Sequence, residues 1–316
     1  MILAGAAAPF GRFERMLANR YLRSRRAQGG GVALISIISV LGIAASVFVL
    51  ISTMSIMNGF REQLLGRILG VKGHVYVDLQ NQPEQDIPRL IELVKATPGV
   101  LHATPLVEGQ ALATANGQAT GALVKGLSAQ DLTALKIVSN SLKPGVVRKF
   151  HTDEDGATGI VVGYRLANML GVDEETPVSL ISPQGASTPF GTAPRRKVYD
   201  IAGTFSVDMY EFDSALIYMP IEEAELFFGR AHPDRIELRI ANPDDSDQIM
   251  YRLRERLPPD AFIYDWKAEN KSMAEALVVE RNMMALILGM IVAIAALNII
   301  SALVMLVKNK SRDIAI

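Results

Sequence analysis

Two long runs of this 316-residue chain, residues 27–60 and 282–307, carry no charged side chain. At 1.5 Å of rise per residue, a helix over the second run measures about 39 Å, more than the roughly 30 Å of a bilayer's hydrocarbon core. The first run is longer. Charged residues make up 21% of the chain, yet its mean hydropathy is +0.22, because charge and apolar surface are segregated along the sequence. A purely soluble protein, a disordered chain, a nucleic-acid binder and a disulfide-stapled secreted domain are all poor readings of that pattern.

The flanks of the runs set an orientation. Residues 1–26 hold six Arg and one acid, and residues 308–316 hold Lys308, Lys310, Arg312 and Asp313, so the ends sum to nine positive and two negative charges, or +7. The totals of 32 basic and 33 acidic residues leave 23 and 31 for residues 61–281, or −8. Basic flanks stay in the cytoplasm. Both ends of the chain are therefore expected inside, with the central region of about 220 residues outside. A cleaved signal peptide fits the first run poorly: the run is more than twice the length of a signal's apolar core, and no small-x-small site closes it. It passes instead through Met57-Asn58-Gly59-Phe60 into a segment that still reads as helix. Phe10, Phe13, Leu17 and Tyr21, interleaved with Arg, read as a short interfacial helix ahead of the membrane.

Small and polar residues mark both spans. Gly42 and Ser46 are four apart in the first, Gly289 and Ala293 in the second, and Asn298 lies deep in the second. Small residues at that spacing let helix backbones approach, and an amide within the membrane seeks a partner. The same residues are also common in any transmembrane helix.

The central region reads as α+β, in two subdomains with one inserted into the other. Strands are expected at 75–79, 107–114, 119–126, 160–162, 178–181, 198–205, 215–219, 235–240 and 261–265. Helices are expected at 87–95, 164–170, 221–228 and 246–257, and Asn116-Gly117 is a strong hairpin signal. From Ala268 a helical pattern runs unbroken into the second span. Chemistry is not visible here. The four His lie far apart, Cys is absent, and no nucleophile elbow, zinc-protease or phosphate-loop motif occurs. Asp153-Glu154-Asp155-Gly156 reads as an exposed acidic turn and lacks calcium-loop spacing. One segment stands out. Residues 182–197 hold three Pro, two Gly, Phe190 and then Arg195-Arg196-Lys197, which suits either a partner-docking loop or a mobile linker.

Taken together, Asn19-Arg20-Tyr21-Leu22, Ser55-Ile56-Met57-Asn58-Gly59-Phe60, Glu280-Arg281-Asn282-Met283-Met284, Asn298-Ile299-Ile300 and Thr188-Pro189-Phe190-Gly191 resemble the LolC/LolE family. These are permease subunits of the lipoprotein-releasing ABC transporter, within the MacB/FtsX superfamily. The resemblance implies two transmembrane α-helices, the first half of a four-helix permease, flanking a large α+β periplasmic domain. The segments are then a basic N-terminal stretch over 1–26, a first span over 27–60, the periplasmic domain over 61–281, a second span over 282–307, and a cytoplasmic coupling segment from 308 to 316. Family members continue with two further spans, so the chain is expected to be cut short after Ile316.

The resemblance also implies function. The chain would be no enzyme and hold no cofactor, with ATP bound by a separate LolD-like ABC ATPase. Its partners would be a second permease copy or homologue, lipoproteins, membrane lipids and a periplasmic LolA-like carrier, but no nucleic acid. Thr188, Pro189, Phe190 and Gly191 match the carrier-binding hook, with Arg196 and Lys197 in support. Thr53 and Met57 match positions facing the lipoprotein cavity. Rival expectations are export of another substrate or control of a cell-wall hydrolase through the same architecture, a two-span sensor, and a membrane-anchored enzyme.

Overall fold

The computed structural model describes residues 11, 13–16, 30–153, 157–174, 176–188 and 191–314. Most of the expected interfacial helix lies outside these residues, including Phe10, Leu17 and Tyr21, as does most of the acidic turn. The chain divides into two units, 1–61 with 275–316, and 62–274.

The first unit is built from two long helices. Helix α1 spans Gly30–Val71, and the last helix of the chain, Lys271–Ile314, contributes its part from residue 275. Their apolar windows, Val40–Val71 and Lys271–Ser301, are long enough to cross a membrane. Their apolar side chains are exposed almost all round, as expected of helices whose solvent is lipid.

Among the described residues, the second unit carries nine strands. In chain order its elements are β1 (Val75–Asp78), α2 (Ile87–Lys95), β2 (Val100–Ala115), β3 (Gln118–Leu127), α3 (Ala129–Ala134), α4 (Lys136–Ser139), α5 (Val146–Lys149), β4 (Gly159–Gly163) and α6 (Tyr164–Leu170). There follow β5 (Val178–Thr188), β6 (Gly191–Phe205), α7 (Tyr210–Asp213), β7 (Leu216–Pro220), α8 (Ile221–Phe228), β8 (Arg235–Ile240), α9 (Ser246–Arg254), β9 (Ile263–Asp265) and α10 (Trp266–Glu269), which leads to α11 (Lys271–Ile314).

The strand pairings make two sets. β2 pairs with β3, β3 with β7, β7 with β4, β4 with β6, β6 with β5, and β5 returns to β2, so six strands close a ring. The first half of β2 instead pairs antiparallel with β8, β8 with β1 and β1 with β9. β2 is thus the shared strand, long enough at 16 residues to serve both sets. The ring, between β2 and α8, is inserted into the sequence of the four-stranded set, in line with the nested subdomains expected from the order of elements.

Period-two alternation separates the cores. Ile160, Val162, Ile217 and Met219 face a cluster completed by α6 and α8, whereas Val161, Leu216 and Tyr218 face one completed by Leu132, Val138 and Val71. A third core joins Ile236, Leu238 and Ile240 of β8 to Leu90 and Val94 of α2 and Ile249 and Leu253 of α9. Each fully buried Leu in these clusters contributes roughly 2–5 kcal/mol against truncation to Ala. The Asn116-Gly117 turn joins β2 and β3, with both residues at positive φ, the twist a two-residue hairpin needs.

Two expectations are corrected. The segment 182–197 is not a loop: β5 runs on to Thr188 and β6 begins at Gly191. The helix into the second span is not continuous from Ala268. It breaks at Asn270, whose φ of −118° and ψ of 53° end α10 before α11 begins. Asn sits comfortably there because its side chain bonds back to the Trp266 carbonyl, a competitor to the helical ladder.

Candidate functional site

The β5–β6 hairpin is the element that sequence and structure both single out. Near its base Val178, Ser179, Leu180 and Ile181 pair with Tyr199, Val198, Lys197 and Arg196. Ser179–Ile181 also pair with β2, so this part is woven into the ring. Beyond it, Ser182 pairs with Arg195, Ala186 with Ala193, Ser187 with Thr192 and Thr188 with Gly191, and among the described residues these pair only with each other. The outer hairpin is therefore a two-stranded ribbon leaving the ring.

The ribbon's sequence explains its form. Between Ser182 and Ala186 the register slips, with three residues of β5 facing Pro194 alone on β6. Pro183 and Pro194 both sit at that bulge. Proline cannot donate to a ladder, so it is tolerated at bulges and edges, and there it blocks addition of a foreign strand. A ribbon with no third strand has little support of its own, which puts the burden on its base.

The base is bolted to α8. Arg195 donates from Nη1 to the Leu226 carbonyl. The Lys197 ammonium meets the Glu223 carboxylate at 2.8 Å, and Tyr199 donates its hydroxyl to the other Glu223 oxygen at 2.8 Å. Glu223 is 3% exposed, so this is a charge-assisted cluster held away from water. The ring of Tyr199 lies 5.5 Å from the Lys197 ammonium. Burial, then the neighbouring Glu223 carboxylate, push the Tyr199 hydroxyl well above the ordinary tyrosine range. On the opposite face Arg196 Nε donates to Ser179 Oγ at 2.8 Å. Helix α8 in turn lies flush on the ring, because Gly126 and Gly109 leave room for Ala224 and Phe228. A methyl group at either glycine would come within 2.1 and 2.4 Å of those side chains.

The expected hook residues thus fall in two groups. Thr188 and Gly191 pair across the ribbon's end, while Pro189 and Phe190 between them, and the Thr188 side chain, lie outside the described residues. Arg196 and Lys197 sit at the base with partners inside the chain. Sequence reasoning missed Glu223, an acid in α8's first turn. Beside the ribbon's root is an apolar cavity of about 650 Å³ lined by Leu112, Leu123, Ile181, Pro183 and Pro194.

On the long helices, Met57 lines a 230 Å³ cavity with Met54 and Asn58 of α1 and Leu277, Met284 and Leu288 of α11. Thr53 does not reach this cavity; it is exposed, and its hydroxyl donates to the Val49 carbonyl at 2.8 Å. Ser46 likewise bonds back to Gly42. A methyl group added at Gly42 or Gly289 would meet nothing within 4 Å, and Ala293 is exposed, so these positions present open backbone. The Asn298 side chain lies outside the described residues.

A buried ionic seam, invisible in the sequence, joins the two strand sets. Lys125 of β3 contacts Glu237 of β8 at 2.7 Å, with side chains 4% and 6% exposed. Arg235 pairs with Glu108 at 2.6 Å, and Lys125 adds a contact to Glu108 at 3.6 Å. Burial works against the Glu108 carboxylate, but Lys125 and Arg235 outweigh it and hold it below the usual range. The only available signal was Lys125 within an otherwise apolar strand. Arg235, Glu237 and Arg239 alternate along β8 as a solvent-facing edge would.

A MacB-like periplasmic core domain model matches residues 36–256. The chain is 31% identical over 305 residues to the lipoprotein-releasing system transmembrane protein LolC of Neisseria meningitidis serogroup B, covering 96% of this chain and 72% of that protein. This chain belongs to the LolC/LolE family. Within it, LolC of Xylella fastidiosa is 32% identical over 94% of this chain and 71% of its own length, and LolE of Haemophilus influenzae is 28% identical over 94% and 71%. The crystal structure of the periplasmic region of MacB from Actinobacillus actinomycetemcomitans matches with a TM-score of 0.39 at 12% identity, over 64% of this chain and 92% of that one.

Proposed function

We propose that this LolC/LolE-family chain is the permease subunit of an ATP-driven complex that extracts outer-membrane-destined lipoproteins from the inner membrane and hands them to a periplasmic carrier. The observation that carries the reading is the 31% identity to a lipoprotein-releasing LolC along 96% of the chain. The long helices lie in the inner membrane with both described ends of the chain cytoplasmic, as the +7 flanks require, and unit 62–274 is periplasmic. ATP is bound by a separate LolD-like ATPase, and a second permease copy or homologue completes the transmembrane part. Exposed backbone at Gly42 and Gly289 supports packing against such helices.

The ribbon is the handover element. Its end, Thr188 to Gly191, contacts the LolA-like carrier, while Lys197 and Arg195 brace its base against α8. Arg196 holds Ser179 and is the more exposed of the basic residues, so it is the one placed to reach a partner. Met57 and its neighbours line the route of the acyl chains, where unbranched Met side chains adapt to irregular apolar cargo. Withdrawing acyl chains from a bilayer costs about 0.8 kcal/mol per CH₂. Lipoprotein release therefore needs an external energy source, which the ATPase supplies through the spans to the periplasmic unit.

A photoreactive amino acid placed at Phe190 in the full-length protein, in cells, tests this reading. The expected result is an adduct with the lipoprotein carrier, absent from a probe at the exposed Glu255. An adduct with a cell-wall hydrolase or an efflux adaptor would keep the architecture and overturn the substrate.

A further inference from the structure

Beyond the ribbon, a cavity of about 790 Å³ in unit 62–274 lies where the outer end of α1 meets β8 and α10. Leu65 and Leu69 of α1, Ile137 of α4, Ile240 of β8 and Trp266 of α10 make a mostly apolar wall, and Leu101, 70% exposed, stands at its mouth. Three basic side chains line the same space: Arg239, His74 and Lys136.

Arg239 is the anomaly. It lies in the seam beside His102, its register partner on β2, but the other seam charges have taken their partners. Lys125 holds Glu237, Arg235 holds Glu108, and His102 holds Asp131 at 2.8 Å. Arg239 makes no hydrogen bond or salt bridge among the described residues, and its Nε is buried without an acceptor. Burial depresses its basicity, against the pull of the Glu237 and Asp131 carboxylates nearby. His74 accepts the Ile240 amide hydrogen at Nδ1, 3.1 Å away, and its ring also lies against the Leu69 backbone. The carboxylates in the lining, Glu62 and Asp244, are both on exposed residues.

A cavity lined by a guanidinium that holds no carboxylate, with apolar walls around it, fits an anionic head on an apolar body. Its α1 wall begins directly after the uncharged run 27–60, where a membrane surface supplies such molecules. We infer that this cavity binds a membrane phospholipid, with Arg239 taking the phosphate and Leu65, Leu69 and Leu101 the first methylenes of the acyl chains. Guanidinium matches phosphate with two parallel hydrogen bonds, and the site would draw in the lipid bilayer's own component independently of any lipoprotein cargo.

The chain holds one Trp, and it is Trp266 in this wall, so the site carries its own reporter. The full chain in uncharged detergent would be titrated with dihexanoyl phosphatidic acid while Trp266 emission is followed. Inorganic phosphate and dihexanoylglycerol would be run separately as the two halves of the ligand. The expected result is a saturable change, at least tenfold tighter for the whole amphiphile than for either half. Arg239→Gln should weaken it tenfold or more without lowering the thermal midpoint, and Arg239→Lys should fall between. No saturable change, equal binding by Arg239→Gln, or binding by either half as tight as the whole would each overturn the proposal. None of these readouts involves the carrier or the ATPase, so failure here is separable from failure of the transport reading.

Discussion

Residues at the seam between the strand sets show how far a side chain's meaning depends on what covers it. Lys125 and Glu237 meet at 2.7 Å with almost no exposure. Removing one partner of such a pair leaves the other charge desolvated and uncompensated, whereas removing both replaces an ionic contact by packing. Lys125→Met should therefore destabilise the protein by about 3–5 kcal/mol, and Lys125→Met with Glu237→Leu should recover most of that loss. Chemical unfolding of the two variants in detergent checks this. If the double variant is as unstable as the single one, the pair stabilises through more than its own charges. Glu108 keeps Arg235 in either variant, so the effect should stay local. In the sequence only Lys125, in an otherwise apolar strand, hints at this, because alternation along Arg235–Ile240 is the same whether its polar face meets water or another subdomain.

At the scale of elements, the β5–β6 ribbon is the feature that composition alone described least well. Three prolines and two glycines in residues 182–194 resemble the composition of an irregular loop. In the fold, two of those prolines fall at a single bulge, and the ladder resumes beyond it. The ribbon's outer residues pair only with one another among the described residues, whereas its base is tied to α8 through Arg195, Lys197 and Tyr199. Cutting residues 183–194 and joining Ser182 to Arg195 through Asn-Gly, a good two-residue turn, should thus change stability by less than about 1 kcal/mol while removing the carrier adduct. Thermal unfolding read alongside the crosslink checks both halves, and a large fall in the midpoint would mean that the ribbon supports the ring. Other elements were legible because local signals agreed. Helix α2 shows buried Ile87, Leu90 and Val94 at helical spacing, with Pro88 in its first turn, and α6 ends where Gly171 adopts φ of 64°. The short helices α3, α4, α5 and α7 were missed, since four to six residues hold too little periodicity to register.

For the whole molecule, the absence of cysteine from the sequence gives a clean background for testing orientation. A cysteine at exposed Glu255 should react with a membrane-impermeant maleimide in intact spheroplasts. One at Arg15 should react only after the membrane is opened. Labelling of Arg15→Cys from outside would reverse the topology derived from the charged flanks. Unit 62–274 also returns the chain close to where it entered: Lys72, after α1, donates to Asn270, before α11, at 3.0 Å, and the Trp266 amide donates to the His74 carbonyl.

What the sequence determined by itself was the membrane character, most strands and helices, and the family. All of these rest on local signals: runs of apolar residues, flanking charge, periodicity, turn residues and short motifs. What only the tertiary structure decided was the closing of six strands into a ring, the pairing of buried charges across the seam, the bracing of the ribbon by Glu223, and the cavity around Arg239. Each of these joins residues tens to more than a hundred positions apart. One-dimensional periodicity cannot specify the surroundings of their charges, because a side chain's environment in a fold is set by what packs over it.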